Sequence, residues 1–321
     1  MSIDWVAFIA DAIRLSTPLI FAALAALICR QAGMFNMGLE GMILWSALGA
    51  VICAHYSGSM WIGLLGGIAV GLFSGLIIAF ASISGKADLY LTCIAFNLAA
   101  AGGTVFVMYI LTGEKSTTAG AFRSYQIPNI GPETPVIGGL FRLVEKIPLI
   151  GRIISGQSLL TWLALLSVFL VWVLLKKTRL GLRIRAVGEN PHAAESVGIS
   201  VPKIGYISFS ICGIMTGLSG AFLSMSFVTF FMKGMANGRG YIGLSAQNMA
   251  GGEPIGSALA SLLFGFCQEL STTMKNQTNF PTEFLEMIPY AATIIALGIT
   301  GMLAIRKLRK VESGQAAGKE G

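Results

Sequence analysis

The sequence predicts an all-α polytopic membrane protein of about nine transmembrane helices (8–10), with an inverted repeat and broken or re-entrant elements. Three observations predict it. Of 321 residues, 55% are hydrophobic and only 12% charged, a composition far from that of soluble domains. Apolar stretches of about 20 residues recur along the chain, each long enough to cross a bilayer as a helix. A basic polar segment, residues 176–203, is flanked by apolar spans on both sides.

The elements follow in order. Residues 1–16 carry Asp4 and Asp11 where a cleaved leader would be positive, and show no small-residue cleavage site. They are expected to stay as an interfacial segment, with Ile3, Val6 and Ile9 or Ala10 on one face and Trp5 and Phe8 beside it. A transmembrane permease domain then occupies 17–305. Stretches 60–83, 89–111, 159–175, 204–222 and 287–305 are spans by length and composition. Stretches 17–33 and 42–56 are shorter, and 240–270 accommodates two short crossings separated by Gly251, Gly252, Glu253 and Pro254.

Orientation comes from charge. Lys176, Lys177, Arg179, Arg183, Arg185 and Lys203 face only Glu189 and Glu195 within 176–203, which places that loop in the cytoplasm. The 306–321 tail, with Arg306, Lys307, Arg309 and Lys310, is then also cytoplasmic. The long 112–157 loop falls on the outer side. It contains five basic residues, but long loops translocate largely regardless of charge. The net charge of +7 is explained by topology and anionic lipid, not nucleic acid.

Inside the cytoplasmic loop, Asn190 is an N-cap, Pro191 suits the first helical position and Gly198 the left-handed position after the last turn. Pro191 to Val197 therefore reads as about two helical turns. A stiff cytosolic helix tied to two spans can receive force from a partner.

An echo relates the halves. Asn36-Met-Gly38-Leu-Glu40-Gly41 precedes a span and then Trp61-Ile-Gly63; Asn237-Gly238-Arg239-Gly240 precedes another and then Pro254-Ile-Gly256. The first starts inside and the second outside, the arrangement of an inverted repeat, whose paired Gly-interrupted elements meet at substrate paths in transporters. Gly63, Gly67, Gly71 and Gly75 recur every four residues, and Gly213, Gly217 and Ala221 repeat the spacing. Small residues so spaced let helix backbones approach closely in lipid.

Polar residues at membrane depth are the candidates for a substrate path: Asn36, Glu40, Asn97, Gln247 and Asn248, with Trp45 and Phe96 as aromatic neighbours. Helix–helix hydrogen bonding or satisfaction of broken helix ends is the competing reading for each. Cys29, Cys53, Cys93, Cys212 and Cys267, odd in number and without ligand spacing, read as small buried hydrophobes. His55 and His192 have no metal-ligand pattern around them. Gly238-Arg-Gly240-Tyr-Ile-Gly243 satisfies the dinucleotide pattern without the βαβ context it needs, and Gly113-Glu-Lys115-Ser116 lacks the Gly-Lys pair of a P-loop. The chain thus shows no nucleotide site, no catalytic constellation and no cofactor requirement of its own. An ion-coupled secondary transporter with Glu40 as the ion site is the alternative to a permease driven by a partner.

Three runs carry a family resemblance: Phe35-Asn-Met-Gly-Leu-Glu-Gly-Met42; Gly181-Leu-Arg-Ile-Arg-Ala-Val-Gly-Glu-Asn-Pro191 with Ala193, Ala194, Gly198 and Ile199; and Gly238-Arg-Gly-Tyr-Ile242. From Thr17 to Ile305 the chain resembles the permease subunits of ATP-binding-cassette importers for nucleosides and simple sugars. The Asn-x-Gly-x-Glu-Gly element favours the nucleoside branch over ribose or branched-chain amino-acid permeases. The resemblance implies a bacterial cytoplasmic-membrane importer with two permeases, identical or different, a cytosolic ATPase that uses the ATP, and an extracytoplasmic binding protein or lipoprotein. It also implies that Gly188 to Gly198, with Glu189, Asn190, Pro191, Ala193, Ala194 and Glu195, is the coupling helix.

Overall fold

A computed structural model describes residues 5–123, 125–129 and 156–277, together with isolated positions between 284 and 302. The 306–321 tail, most of the 287–305 span and residues 130–155 of the outer loop lie outside the described residues. Ten α-helices order the described part: α1 (Trp5–Gln31), α2 (Leu39–Ser57), α3 (Met60–Ala79), α4 (Leu89–Thr112), α5 (Leu159–Lys177), α6 (Arg179–Glu189), α7 (Pro191–Ser196), α8 (Val201–Phe222), α9 (Arg239–Met249) and α10 (Pro254–Gln277). Short π-helical turns, Phe80–Ser84 and Leu223–Phe227, extend α3 and α8. Among the described residues six helices are long and apolar enough to cross a membrane: α1 to α5 and α8, with α3 and α8 counted through their π turns. The chain is a multi-pass membrane protein.

One expectation is corrected at the N-terminus. Residues 5–16 are not a separate interfacial helix but the first turns of α1, which runs unbroken through Pro18 to Gln31. The reason is burial: Phe8, Ala12 and Leu15 already face the protein interior, so the helix continues under the same packing. α1 is the central post, 89% buried over its apolar core, and α5, α8, α9 and α10 all pack on it. Its small residues permit this crowding. A β-carbon on Gly243 of α9 would lie 2.6 Å from Ala22 Cβ, and one on Gly265 of α10 would lie 2.8 Å from Ser16 Cβ.

Helix α3 also packs closely on α8. A β-carbon at Gly71 would meet the Gly213 carbonyl and lie 2.7 Å from Gly217 Cα, and one at Gly75 would lie 2.5 Å from the Phe209 carbonyl. Gly67 faces Ala50 and Ala221, and Gly63 faces Ala54 of α2 and Met225. In lipid there is no hydrophobic drive between helices, so association depends on such backbone-level packing.

The end of the bundle bearing residues 176–203 is the basic end. Thr178 caps α6 by accepting the Gly181 N–H at 3.1 Å, and Gly181, Ile184 and Val187 turn inward while Arg179 and Arg183 stay exposed. The signal for α6 in the sequence is Thr178 followed by apolar residues at helical spacing. Helix α7 has the local structure its caps predict. Asn190 Oδ1 accepts the Ala193 N–H at 3.1 Å, and Pro191 opens the helix. Gly198, at φ +82°, follows the last turn, and the Gly198 and Ile199 amides donate to the Glu195 and Ala194 carbonyls at 2.9 and 3.0 Å. This is the two-bond Schellman ending.

Candidate functional site

The site is built where α2 and α9 begin. Helix α1 ends in a Schellman turn, the Gly33 and Met34 amides donating to the Arg30 and Cys29 carbonyls at 2.9 Å each. The chain then crosses to Asn36, whose Oδ1 accepts the Gly38 N–H at 2.8 Å and so turns the backbone into α2. Asn36 is fully buried. Its Nδ2 reaches Cys212 Sγ at 3.3 Å and its Oδ1 receives the Cys93 thiol at 3.3 Å. Asn36 thus fastens the loop to α4 and α8 from within and does not open onto a path. Cys93 and Cys212 are more than space-filling hydrophobes; each gives the loop a polar contact.

Glu40 joins the two interrupted elements. Its Oε1 accepts the Gly238 N–H at 2.8 Å and its Oε2 the Gly240 N–H at 2.9 Å. These amides belong to the open first turn of α9, where a carboxylate is favoured by both the orphan donors and the helix dipole. Gly240 is required there, because a β-carbon would lie 2.6 Å from the Glu40 nitrogen. The glycines of the accidental dinucleotide pattern hold a carboxylate of this chain.

Asn97, on α4, closes the cluster. Its Oδ1 accepts the Gly41 N–H at 2.9 Å, and its Nδ2 donates to the Met37 carbonyl at 2.9 Å and to Tyr241 Oη at 3.0 Å. Glu40, Asn97 and the missed Tyr241 therefore meet at one place. Trp45 lies elsewhere on α2, close against Gly103 of α4, and Phe96 is half-buried against the core beneath Asn97. Gln247 is completely buried, and neither of its amide atoms has a partner among the described residues. Asn248 belongs to the basic end, where its Oδ1 accepts from Arg30 at 2.8 Å. Gln31 donates to the Gly252 carbonyl at 2.8 Å, and Lys176 pairs with Glu253 at 2.8 Å, so the α9–α10 turn is held to α1 and α5.

The loop of residues 176–203 approaches this site through a contact that spacing did not reveal. Gly188, at the end of α6, lies so close to the end of α1 that a β-carbon would collide with the Gln31 carbonyl oxygen and sit 3.0 Å from the Gly33 nitrogen. From Gly33 only two residues separate this contact from Asn36. Beside it opens a largely apolar hollow of about 240 Å³, lined by Met34, Ile83, Val187, Pro191 and Pro202 among others. Gly188→Val is expected to push α6 off α1 and to lower the unfolding temperature by several degrees, since overpacking costs about 1–3 kcal/mol. A thermal scan of the purified protein checks it; an unchanged midpoint would show that α6 is not seated on α1.

A multi-pass helical bundle in which the starts of α2 and α9 meet across a carboxylate, with a capped helix at its basic end, suits a transport permease. The family model described as branched-chain amino acid transport system / permease component matches residues 8–297, and the chain belongs to that family. It is 33% identical over 293 residues to the guanosine ABC transporter permease protein NupQ of Bacillus subtilis, covering 88% of each chain. It is 32% identical over 301 residues to the nucleoside ABC transporter permease protein NupC of Lactococcus lactis, covering 91% of each. A second Bacillus subtilis guanosine permease protein, NupP, is 27% identical over 314 residues, which is 94% of this chain and 85% of that one. No solved structure matches the chain.

Proposed function

We propose that this chain is one of two non-identical permeases of an ATP-driven importer that carries nucleosides across the bacterial cytoplasmic membrane by alternating access. The observation that carries the reading is family membership with similarity over most of the chain to guanosine and nucleoside permeases. Two Bacillus subtilis relatives share the guanosine name, and this chain is closer to NupQ than to NupP, which supports a pair of different permeases with this chain in the NupQ position. A cytosolic ATPase supplies the energy and an extracytoplasmic binding protein or lipoprotein delivers the solute.

The directions of the described helices are those an inverted repeat would give. α1 runs toward the basic end, α2 and α3 follow, and α4 leaves it; α8 runs away from the basic end, α9 returns to it, and α10 leaves again. Glu40 and Gly238–Gly240 then stand at equivalent breaks of opposite direction. In the ion-coupled alternative Glu40 binds the ion, yet both of its oxygens already accept backbone N–H groups.

α7 is the coupling helix in this reading. Ala194 anchors it inward, while Val197, 74% exposed, presents an apolar side chain at its tip. Val197→Asp alters an exposed side chain and is expected to reduce both recovery of the co-purifying ATPase and nucleoside uptake by about thirtyfold, the weight of an interface hot spot of about 2 kcal/mol. Full uptake by this variant would remove α7 from the coupling role. Uptake by the chain alone in proteoliposomes under an ion gradient would sink the importer reading.

A further inference from the structure

We propose that Tyr241 contacts the transported solute, donating its hydroxyl proton to an acceptor on a nucleobase, and that Asn97 is the residue that positions it; the inference rests on the nucleoside reading above. The neighbours fix the direction of the bond. At Gly41 Asn97 meets a backbone N–H, which only donates, and at Met37 a backbone carbonyl, which only accepts. Oδ1 must face the first and Nδ2 the second, so the remaining Nδ2 hydrogen goes to Tyr241 Oη at 3.0 Å. Asn97 then has no donor left for a ligand. The phenol oxygen is the acceptor in that pair, and its own proton points elsewhere.

Among the described residues nothing accepts that proton. Tyr241 is 44% exposed, and the exposed residues of α4 around Asn97 include the apolar Leu91, Ile94 and Leu98, with Tyr90 two turns nearer the basic end. Asn97 stands eight residues into α4, about 12 Å from the basic end at 1.5 Å per residue. A hydroxyl donor without a partner at membrane depth is costly, and polar groups retained there line pathways. The solute class follows from the chemistry offered: one donor on the edge of an exposed aromatic ring. A nucleobase supplies ring nitrogens and carbonyl oxygens as acceptors and a flat face for the ring to cover.

The test is equilibrium binding of radiolabelled guanosine to the purified permease–ATPase complex without its binding protein, so that the permease's own affinity is read. Tyr241→Phe removes only the hydroxyl, and elution as a single assembled complex verifies its fold. Its Kd is expected to rise about three- to tenfold, the weight of one neutral hydrogen bond. One guanosine analogue in which a ring nitrogen is replaced by carbon, or a carbonyl is absent, should weaken binding to the unaltered complex by the same factor and lose nothing further with Tyr241→Phe. An unaltered complex that imports guanosine and binds it equally well after Tyr241→Phe overturns this inference alone. A complete transporter that imports no nucleoside overturns the nucleoside reading, and this inference with it.

Discussion

Gly71→Leu is expected to abolish accumulation of the folded protein. The α3–α8 crossing brings Gly71 onto the Gly213 carbonyl and the Gly217 backbone, and a β-carbon at Gly213 would in turn lie 2.5 Å from the Gly71 oxygen. A flexible side chain can move out of the way of an added methyl; two helix backbones cannot. The cost therefore exceeds the usual overpacking range of about 1–3 kcal/mol, and it falls on an interface that lipid does nothing to stabilise. Membrane-fraction protein measured by fluorescence-detected size exclusion should drop to background. Gly102→Leu, on α4 where a β-carbon meets nothing within 4 Å, should accumulate normally. Equal accumulation of both variants would mean that the crossing does not hold the bundle together.

Glu40→Leu is the second large effect, and it strikes function more than assembly. Two charge-assisted hydrogen bonds to Gly238 and Gly240 are lost, each worth about 1.5–3 kcal/mol, and two first-turn amides of α9 are left unpaired. Together these suffice to shift the clasped arrangement by about a hundredfold or more, at 1.4 kcal/mol per factor of ten. Nucleoside uptake per folded molecule should fall accordingly, and the Gly238–Gly240 amides should lose protection from hydrogen exchange. Glu40→Gln retains one acceptor oxygen and should lie between. Unchanged exchange at these amides in Glu40→Leu would refute the clasp.

These two expectations differ in how far they were legible beforehand. Glycines at four-residue intervals announce close packing, because the period places them on one helix face, and two matching stripes suggest one another. Glu40 was legible only as a costly polar residue in an interrupted element. That its carboxylate serves a helix beginning some 200 positions later is a matter of long-range approach, which no local spacing encodes. Asn97 shows the same limit: its residue type suggested a substrate contact, whereas two of its neighbours use up its donor hydrogens and leave the free donor on Tyr241. Asn248 and Gln247, adjacent in sequence, separate for a comparable reason, since neighbours on a helix point in different directions.

The sequence by itself determined the membrane class and the capped helix α7, because hydropathy and cap chemistry act over a few residues and need no partner. The tertiary structure alone decided that residues 5–16 belong to the central helix α1, that Gly188 presses on its far end, and that the starts of α2 and α9 share one carboxylate. Each of these depends on which segments come within van der Waals distance, and that is settled by the packing of the whole bundle.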